Sequence, residues 1–388
     1  MRDSVVLLMS AGAAGLIGFG APGSPDVAPE PAQASSLIYV SGITGNLPGT
    51  ADFPEGIAAQ TRQALENLDA ALREKGADLS RVASANVFLT DTRNFAGMNE
   101  VYRGYFAEDP PTRATVQADL PDPGALIQIS VVAIEPGVAK RVITPGDMQR
   151  PGLPYSWGIH AGNTLFIAGA TSRNPQTYQP VTGDMETQTR QVMQNIGAVL
   201  ESAGMDYEDI VSCKAFLGDA REFQPMSRTY TTFFEKDPPA RAATRAGLMN
   251  PVFRSEIQCI AVDDPTRHVV SATGPPRPGS ALSPAIQVGD RLYLAGMLGR
   301  GPDGYAPGDV VAQARQALEN LRAALNAADM DFENVVEVTI WVTDIRFVRR
   351  VKEVYEEVMA GSQAAVTTVG SGLMSTSGLI EIMMTAER

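Results

Sequence analysis

Histidine and cysteine are scarce in this chain of 388 residues, which has two of each. A structural zinc site needs four nitrogen or sulfur ligands, usually at short spacings, and Cys213 and Cys259 have no CxxC spacing. We therefore expect no metal centre. Both cysteines lie in strand-like runs, so we expect two small buried residues, with a disulfide between them as the alternative.

Positive charge is also in short supply. The 31 Lys and Arg residues face 44 Asp and Glu residues, which gives a formal net charge of -13. An acidic surface repels phosphate backbones. The densest basic cluster, at residues 346–352, is followed closely by Glu353, Glu356 and Glu357, an arrangement typical of a solvated helix face. We therefore expect no nucleic-acid partner.

An apolar segment at the N-terminus is short for a membrane span. Residues 5–19 are apolar and rich in small residues, Arg2 precedes them, and Ala32-Gln33-Ala34 offers a small-residue cleavage site. This pattern is typical of a secretory signal rather than a transmembrane helix. We expect residues 1–34 to be a signal peptide and the mature protein to be exported, periplasmic or secreted, with no stable membrane insertion.

An internal repeat is the main feature that the chain does contain. A helix-like segment at residues 60–68 returns at 188–196 and again at 313–321, with the pattern Q-x-R-Q-x-[LM]-x-N in its best copies. Each segment follows an apolar run that ends in Gly and precedes a β-rich run that ends in Asp. The period is far longer than the roughly 20 to 50 residues of a solenoid unit. The chain therefore holds three copies of one domain.

Pro-Gly-rich segments at 136–152 and 263–279 read as linkers. We accordingly expect the copies at residues 35–136, 150–264 and 279–388. Each copy reads as strand, helix, strand, helix, strand, which indicates an α+β fold with helices on one face of a sheet. The other face also needs cover, and three sheets packed around a common axis would supply it, as in a cyclic homotrimer made of one chain.

Two further patterns have structural interpretations. The sequence from Gly299 to Gly304 matches G-x-G-x-x-G, but no helix begins directly after it, so we expect a turn rather than a dinucleotide site. The second helix of each copy carries a tyrosine, Tyr102, Tyr230 or Tyr355, at a spacing that indicates the core.

The copies differ at two polar positions near their ends. A Pro-Pro turn precedes Arg113 in copy one and Arg241 in copy two, and a polar residue follows fifteen positions later, Gln128 and Glu256 respectively. Copy three has Val366 and Glu381 at these positions. Such an Arg presents a fixed fork to a carboxylate, and such a Glu can orient a water. A buried Arg–Glu pair with a purely structural role is the alternative.

These features together resemble the RidA or YjgF family, the reactive-intermediate deaminases. The resemblance rests on the strand that ends in Gly, the Q-x-R-Q helix, the strand that ends in Asp and the P-x-R turn, and it covers all three copies. It implies a chorismate-mutase-like fold, ligand clefts between subunits, and cofactor-free hydrolysis of 2-imino or 2-enamino acids to 2-keto acids and ammonia. It also implies that the Arg binds the substrate carboxylate.

Carried over by position, the resemblance gives a principal site on copy two. Arg241 would bind the carboxylate, Glu256 would orient the water, Tyr155 matches the family's N-terminal tyrosine, and the backbones of Gly169 and Ala170 would line the cleft.

The other two copies depart from the family's pattern. Copy one keeps Arg113 but has Gln128, which cannot act as a base, and it lacks the strand with the tyrosine. Copy three has Leu282 at the tyrosine position and Val366 at the Arg position. Two of the three possible sites are therefore in doubt.

The sequence leaves three functions to compare. We expect a monomeric pseudo-trimer that hydrolyses small imino acids without a cofactor. A non-catalytic binding module for small carboxylates is the alternative, which export favours because the imines usually arise in the cytosol. The endoribonuclease activity attributed to some relatives fits poorly with so acidic a chain.

Overall fold

The computed structural model describes residues 37–272, 280–306 and 308–388. The expected signal peptide, residues 1–34, lies outside the described residues, as does the C-terminal part of the second linker, residues 273–279. All described residues belong to one compact unit.

The first copy has two helices and four strands: β1 (Leu37–Thr44), α1 (Ile57–Glu74), β2 (Val82–Leu89), α2 (Phe95–Tyr105), β3 (Thr112–Gln117) and β4 (Ile127–Ile134). The second copy repeats this order and adds short strands: β5 (Lys140–Ile143), β6 (Gly158–Ala161), β7 (Thr164–Ala170), α3 (Met185–Ala203), β8 (Ile210–Leu217), α4 (Phe223–Thr231), β9 (Ala240–Arg245), β10 (Gly247–Leu248) and β11 (Ser255–Val262).

The third copy again has two helices: β12 (His268–Val270), β13 (Ala285–Val288), β14 (Arg291–Leu294), β15 (Met297–Leu298), β16 (Arg300–Gly301), β17 (Gly304–Tyr305), α5 (Val310–Asn326), β18 (Val335–Val342), α6 (Val348–Val358), β19 (Ala365–Gly370), β20 (Gly372–Leu373) and β21 (Ile380–Glu387). The G-x-G-x-x-G pattern lies on the two-stranded ribbon of β16 and β17, as a turn interpretation predicts.

Each copy contains one strand more than the predicted order. The strand that carries the Arg position, β3, β9 or β19, runs parallel to the preceding long strand, β2, β8 or β18. Parallel neighbours need a crossover connection, and α2, α4 and α6 supply it. The expected order of strand, helix, strand, helix, strand was wrong because it merged this parallel strand with its turn.

The helices cover one face of each sheet. Leu65, Leu68 and Leu72 of α1, predicted to share one face, are fully buried in the core of the first copy. The linkers are not structureless: β5 pairs with β6 in the second sheet, and β12 pairs with β13 in the third.

The opposite faces of the sheets meet in a shared hydrophobic cluster. Phe88, Phe216 and Trp341 occupy equivalent positions in the three copies, and all three belong to this cluster. Short strands also cross the boundaries, since β10 pairs with β3 and β20 pairs with β9. A bridge between Asp119 and Gly370 joins the first copy to the third. Each copy therefore contacts both of the others.

A disulfide joins Cys213 to Cys259. The two residues lie directly opposite each other on β8 and β11, and both are buried in the core of the second copy. Our expectation of burial was correct, but the expectation that they stay unpaired was wrong. Their sequence separation of 46 does not indicate the strand pairing that brings the two cysteines together.

Replacing both cysteines by alanine should lower the free energy of unfolding by roughly 2 to 4 kcal/mol, because the bond closes a 46-residue separation that the unfolded chain would otherwise explore. Urea unfolding of the oxidised wild type and the double variant measures the difference. Wild type reduced while unfolded and then refolded is the control that changes only this bond. Equal unfolding midpoints in all three samples would contradict a stabilising role.

Candidate active site

Two clefts lie at boundaries between copies, and each takes its polar residues from both neighbours. Glu256 of copy two accepts a hydrogen bond from the backbone N–H of Thr115 in copy one, at 3.1 Å. Glu381 of copy three accepts the equivalent bond from Ala243 in copy two, at 3.3 Å. The Arg-bearing strand of one copy therefore faces the acid-bearing strand of the next.

At the third boundary, β4 of copy one faces β19 of copy three. The hydroxyls of Ser130 and Thr367, one from each strand, lie 2.6 Å apart. Gln128 and Val366 lie on these same two strands. The two departures from the family's pattern thus fall at one boundary, and the other two boundaries each keep both an Arg and a Glu.

This arrangement corrects the site predicted on copy two. Arg241 lies on the helix-covered face of its sheet, where it donates to Ser227 Oγ at 2.9 Å and contacts the ring of Tyr230. Glu256 pairs in register with Phe216, which faces the central cluster on the opposite side. The two side chains project from opposite faces of one sheet, so Arg241 shares a cleft with Glu381, and Glu256 shares one with Arg113. Counting along the sequence could not show this, because both partners were sought in the same copy.

Arg113 is held at the first cleft by helix α2. Its Nη2 donates to Asn99 Oδ1 at 2.7 Å, and its guanidinium lies 4.8 Å from the ring centre of Tyr102. Tyr102 and its equivalent Tyr230 are fully buried, as predicted, and each packs on the Arg of its own copy. In copy three, where Val366 replaces the Arg, Tyr355 is only partly buried.

Glu256 is buried in the wall opposite Arg113. A Cβ atom on Gly169 would lie 2.2 Å from Glu256 Oε1, so only glycine leaves room for the carboxyl. Burial raises the pKa of Glu256 to about 8, against the lowering effects of the Thr115 N–H, Arg113 and Arg173. The carboxyl is thus mainly protonated at neutral pH, and it can donate a proton as well as accept one.

Tyr155 stands beside these groups and is positioned by the neighbouring copy. Its hydroxyl lies 2.6 Å from that of Tyr178. The next residue, Ser156, donates its hydroxyl to the carbonyl of Pro110 and its N–H to that of Pro111. The Pro-Pro turn that precedes Arg113 therefore also fixes the loop before β6 that carries Tyr155.

The first cleft encloses a cavity of about 240 Å³, lined by Arg113, Tyr155, Gly169 and Glu256 among others. Ala170 is absent from this lining because its side chain packs in the core of copy two. Gln128 lies at the third boundary. Of the residues predicted for the site, the structure brings together Arg113, Glu256, Tyr155 and Gly169, whereas Arg241, Ala170 and Gln128 lie elsewhere.

Arg173, Tyr178 and Phe253 are among the lining residues that the sequence did not predict. The guanidinium of Arg173 lies between the rings of Tyr178 and Phe253, 4.4 and 4.7 Å from their centres. The sequence does contain a signal for Arg173. Copy three has Arg300 at the same position after its Gly-ending strand. Reading each copy separately for its Arg–polar pair overlooked it.

The repeated helix holds the loops that shape this cleft. Asn195 of α3 donates to the carbonyls of Thr171 and Arg173, at 3.1 and 2.9 Å. Gln188 donates to the carbonyl of Val252 and accepts from the N–H of Arg254, just before the strand that carries Glu256. The motif that identified the copies therefore positions the site without entering it.

The second cleft keeps Arg241 and Glu381 but has different walls. Leu282 stands at the position of Tyr155, Leu298 at that of Thr171 and Gly378 at that of Phe253. Burial raises the pKa of Glu381 to about 7. Tyr155, Thr171 and Phe253 thus have two leucines and a glycine as counterparts, whereas Tyr178 keeps an aromatic counterpart, Tyr305.

Within the part of the chain that the structure describes, no group of three or more His, Cys, Asp and Glu side chains is placed to hold a metal ion. No helix of these same residues is long and apolar enough to span a bilayer. Neither His160 nor His268 lines the cavity of the first cleft.

Comparisons with known proteins agree with the three-copy organisation. The Endoribonuclease L-PSP family model matches the chain three times, at residues 30–135, 148–263 and 274–388. A RutC family protein of Pyrococcus horikoshii is 39% identical over 122 residues, 31% of this chain and 97% of that protein. A 2-iminobutanoate/2-iminopropanoate deaminase of Mus musculus is 32% identical over 112 residues, 29% of this chain and 83% of that protein. Each relative therefore matches about one copy.

A solved structure matches nearly the whole chain. The crystal structure of a chorismatase covers 91% of this chain and 98% of its own, with a TM-score of 0.54 and 14% sequence identity. At this identity the likeness shows the fold alone. The three family matches span most of the chain, so the protein belongs to the Endoribonuclease L-PSP family, and the resemblance to RidA and YjgF proteins is confirmed in all three copies.

Proposed function

We propose that this protein hydrolyses small 2-imino or 2-enamino acids to 2-keto acids and ammonia, without a cofactor, in the cleft between copies one and two. The observation that carries the proposal is that the guanidinium of Arg113 and the carboxyl of Glu256 line one cavity. The mouse relative, named as a deaminase of 2-iminobutanoate and 2-iminopropanoate, supports this substrate class.

The geometry supports a simple sequence of proton transfers. Arg113 binds the substrate carboxylate, since its contacts with Asn99 and Met98 leave other N–H groups of the guanidinium for a ligand. Glu256, protonated at neutral pH, donates its proton to the imine nitrogen and makes the carbon electrophilic. The resulting carboxylate then takes a proton from the attacking water. Glu256 passes that proton to the amino group of the carbinolamine, the C–N bond breaks to release ammonia, and the hydroxyl proton returns to Glu256 as the C=O bond of the keto acid forms.

A non-catalytic binding module for small carboxylates remains the second candidate, because Arg113 alone would serve that role. The protonated state of Glu256 favours the enzyme, since a binding site needs only a cation for a carboxylate. The acidic net charge of -13 speaks against an endoribonuclease, because RNA binding depends on neutralising phosphates.

The proposal includes a monomeric pseudo-trimer in an exported compartment. The strand pairs that cross from copy two to copy one and from copy three to copy two, together with the bridge from copy one to copy three, support a closed ring. The disulfide supports export, because disulfides persist mainly in oxidising compartments.

We expect the wild type to compete with semicarbazide for 2-iminopropionate generated in situ. Arg113→Ala should lower kcat/KM by about a hundredfold or more, because it removes a charge-assisted, bidentate contact to the substrate. Arg241→Ala is the matched control, since this Arg faces the other acid, and it should keep most of the activity. Thermal melts of both variants show whether each folds.

Absence of competition by the wild type would rule out the deaminase. Full activity in a folded Arg113→Ala protein would instead refute the site while leaving the activity in place. Loss of activity in Arg241→Ala alone would move the site to the second cleft.

The pKa of Glu256, the proton donor, also predicts how kcat/KM varies with pH. Because the pKa of Glu256 is raised to about 8, kcat/KM should fall as pH rises above that value, where the carboxyl has lost the proton that it must donate. Glu256→Gln should lower the rate by about 10² to 10⁴-fold and abolish this fall. The residual profile of the Gln variant reports the pH dependence of the substrate itself. A wild-type profile parallel to that of the variant would contradict the assignment.

The pH dependence of protein stability gives an independent measure of the pKa of Glu256. The folded protein keeps a proton on Glu256 up to a pH of about 8, whereas the unfolded chain releases it near the ordinary value of 4.5. Wild-type stability relative to Glu256→Gln should therefore fall as pH rises between these values and level off above them. Urea unfolding across this range measures the change, and Glu381→Gln should show the same sign with a transition ending nearer pH 7. A difference that does not vary with pH would contradict the raised pKa.

A further inference from the structure

Arg173 places a second guanidinium in the first cleft, in addition to Arg113. We propose that this Arg binds a second carboxylate, so that the preferred substrates are imines of dicarboxylic amino acids, with four- or five-carbon skeletons. The inference rests on the proposed function and narrows it from small imino acids in general to those with two acidic groups.

The surroundings of Arg173 hold it in place without neutralising it. Its guanidinium lies between the rings of Tyr178 and Phe253, and its Nη1 donates to the carbonyl of Tyr178 at 3.0 Å. Aromatic faces orient a guanidinium and leave its edge free for hydrogen bonds. Within the described residues, Arg173 interacts electrostatically with the carboxyl of Glu256, which is mainly protonated at neutral pH.

The loop that holds Arg173 contains a strained backbone conformation at Tyr178. Tyr178 has φ of 60°, a left-handed conformation that is strained for a non-glycine residue and that concentrates at functional sites. The loop is tied down by a bond from the N–H of Tyr178 to the carbonyl of Asn174, at 2.9 Å. A glycine would relieve the strain, but it would lose the ring that stacks on Arg173 and the hydroxyl that meets Tyr155.

The charges of the cleft favour two negative groups. Five ionisable side chains interact electrostatically there: Arg113, Arg173, Glu256, Tyr155 and Tyr178. Burial raises the pKa of both tyrosines above the ordinary value, so they are neutral, and the two guanidinium groups face one protonated carboxyl. A monocarboxylate would neutralise only one of the two positive charges.

The cavity has room for such a ligand. Its volume of about 240 Å³ is many times the roughly 10 to 15 Å³ of such space that one water needs. Phe253 supplies an apolar wall beside Arg173, which suits the methylene groups between two carboxylates. At the second cleft the equivalent of Phe253 is Gly378, so one of the two rings that hold the guanidinium has no counterpart there.

The test is binding of two unreactive analogues, butyrate and glutarate, which is butyrate with a second carboxylate at its far end, measured by calorimetry on the full-length protein. Wild type should bind glutarate at least about tenfold more tightly than butyrate. Arg173→Leu should weaken glutarate binding by about ten- to a hundredfold and leave butyrate binding within about twofold. Arg173→Lys, which keeps the charge, should keep part of the preference. Arg300→Leu, the matched change in copy three, should leave both affinities unchanged.

Equal affinities of wild type for the two analogues would overturn the proposal, and this comparison needs no variant. Equal weakening of both analogues by a folded Arg173→Leu protein would also overturn it, because that is the result of a merely structural role. In a parallel assay, the imines of glutamate and alanine are generated in situ and trapped with semicarbazide. Preference for the glutamate imine supports the proposal. Hydrolysis of neither imine, with the glutarate preference intact, would refute the deaminase while supporting the dicarboxylate site.

Discussion

The hydrogen bond from the Thr115 N–H to Glu256 joins two copies, and the first cleft depends on it. It brings a buried carboxyl from copy two to the strand that carries Arg113, so neither copy holds a complete site. The bond is possible only because Gly169 has no side chain where the carboxyl lies. Burial keeps that carboxyl protonated, and the boundary between copies therefore sets both the geometry and the proton affinity of the site.

Joining three copies in one chain removes the requirement that their sites be identical. In a cyclic homotrimer every boundary carries the same residues, so a change of Arg to Val would remove all sites at once. Here Val366 and Gln128 fall at one boundary, where both losses cost a single site. The second boundary keeps its Arg and Glu, with Leu282 and Leu298 in place of Tyr155 and Thr171. The departures in copies one and three therefore remove the Arg–Glu pair from one boundary and leave it at the other two.

Much of this fold was predictable because its signals are local. The helix motif, the glycine before it and the aspartate after the next strand recur by sequence position, and copies can be counted without a structure. The partnership of Arg113 with Glu256 was not predictable in this way, since it depends on which copy packs against which. Arg173 was missed for a different reason: its role comes from rings that lie 5 and 80 residues away in the sequence, Tyr178 and Phe253.

Strand β11 carries both the buried acid and one half of the disulfide. Glu256 faces the central cluster, and Cys259 faces the helices, where it is bonded to Cys213 on β8. A slip of β11 by one residue would turn Glu256 into the core of copy two and remove it from Thr115. The covalent bond to β8 forbids that slip. The buried carboxyl of Glu256 lowers the stability of the folded protein as pH rises. The disulfide holds the register of the same strand, and it therefore stabilises the site at the strand that carries this acid.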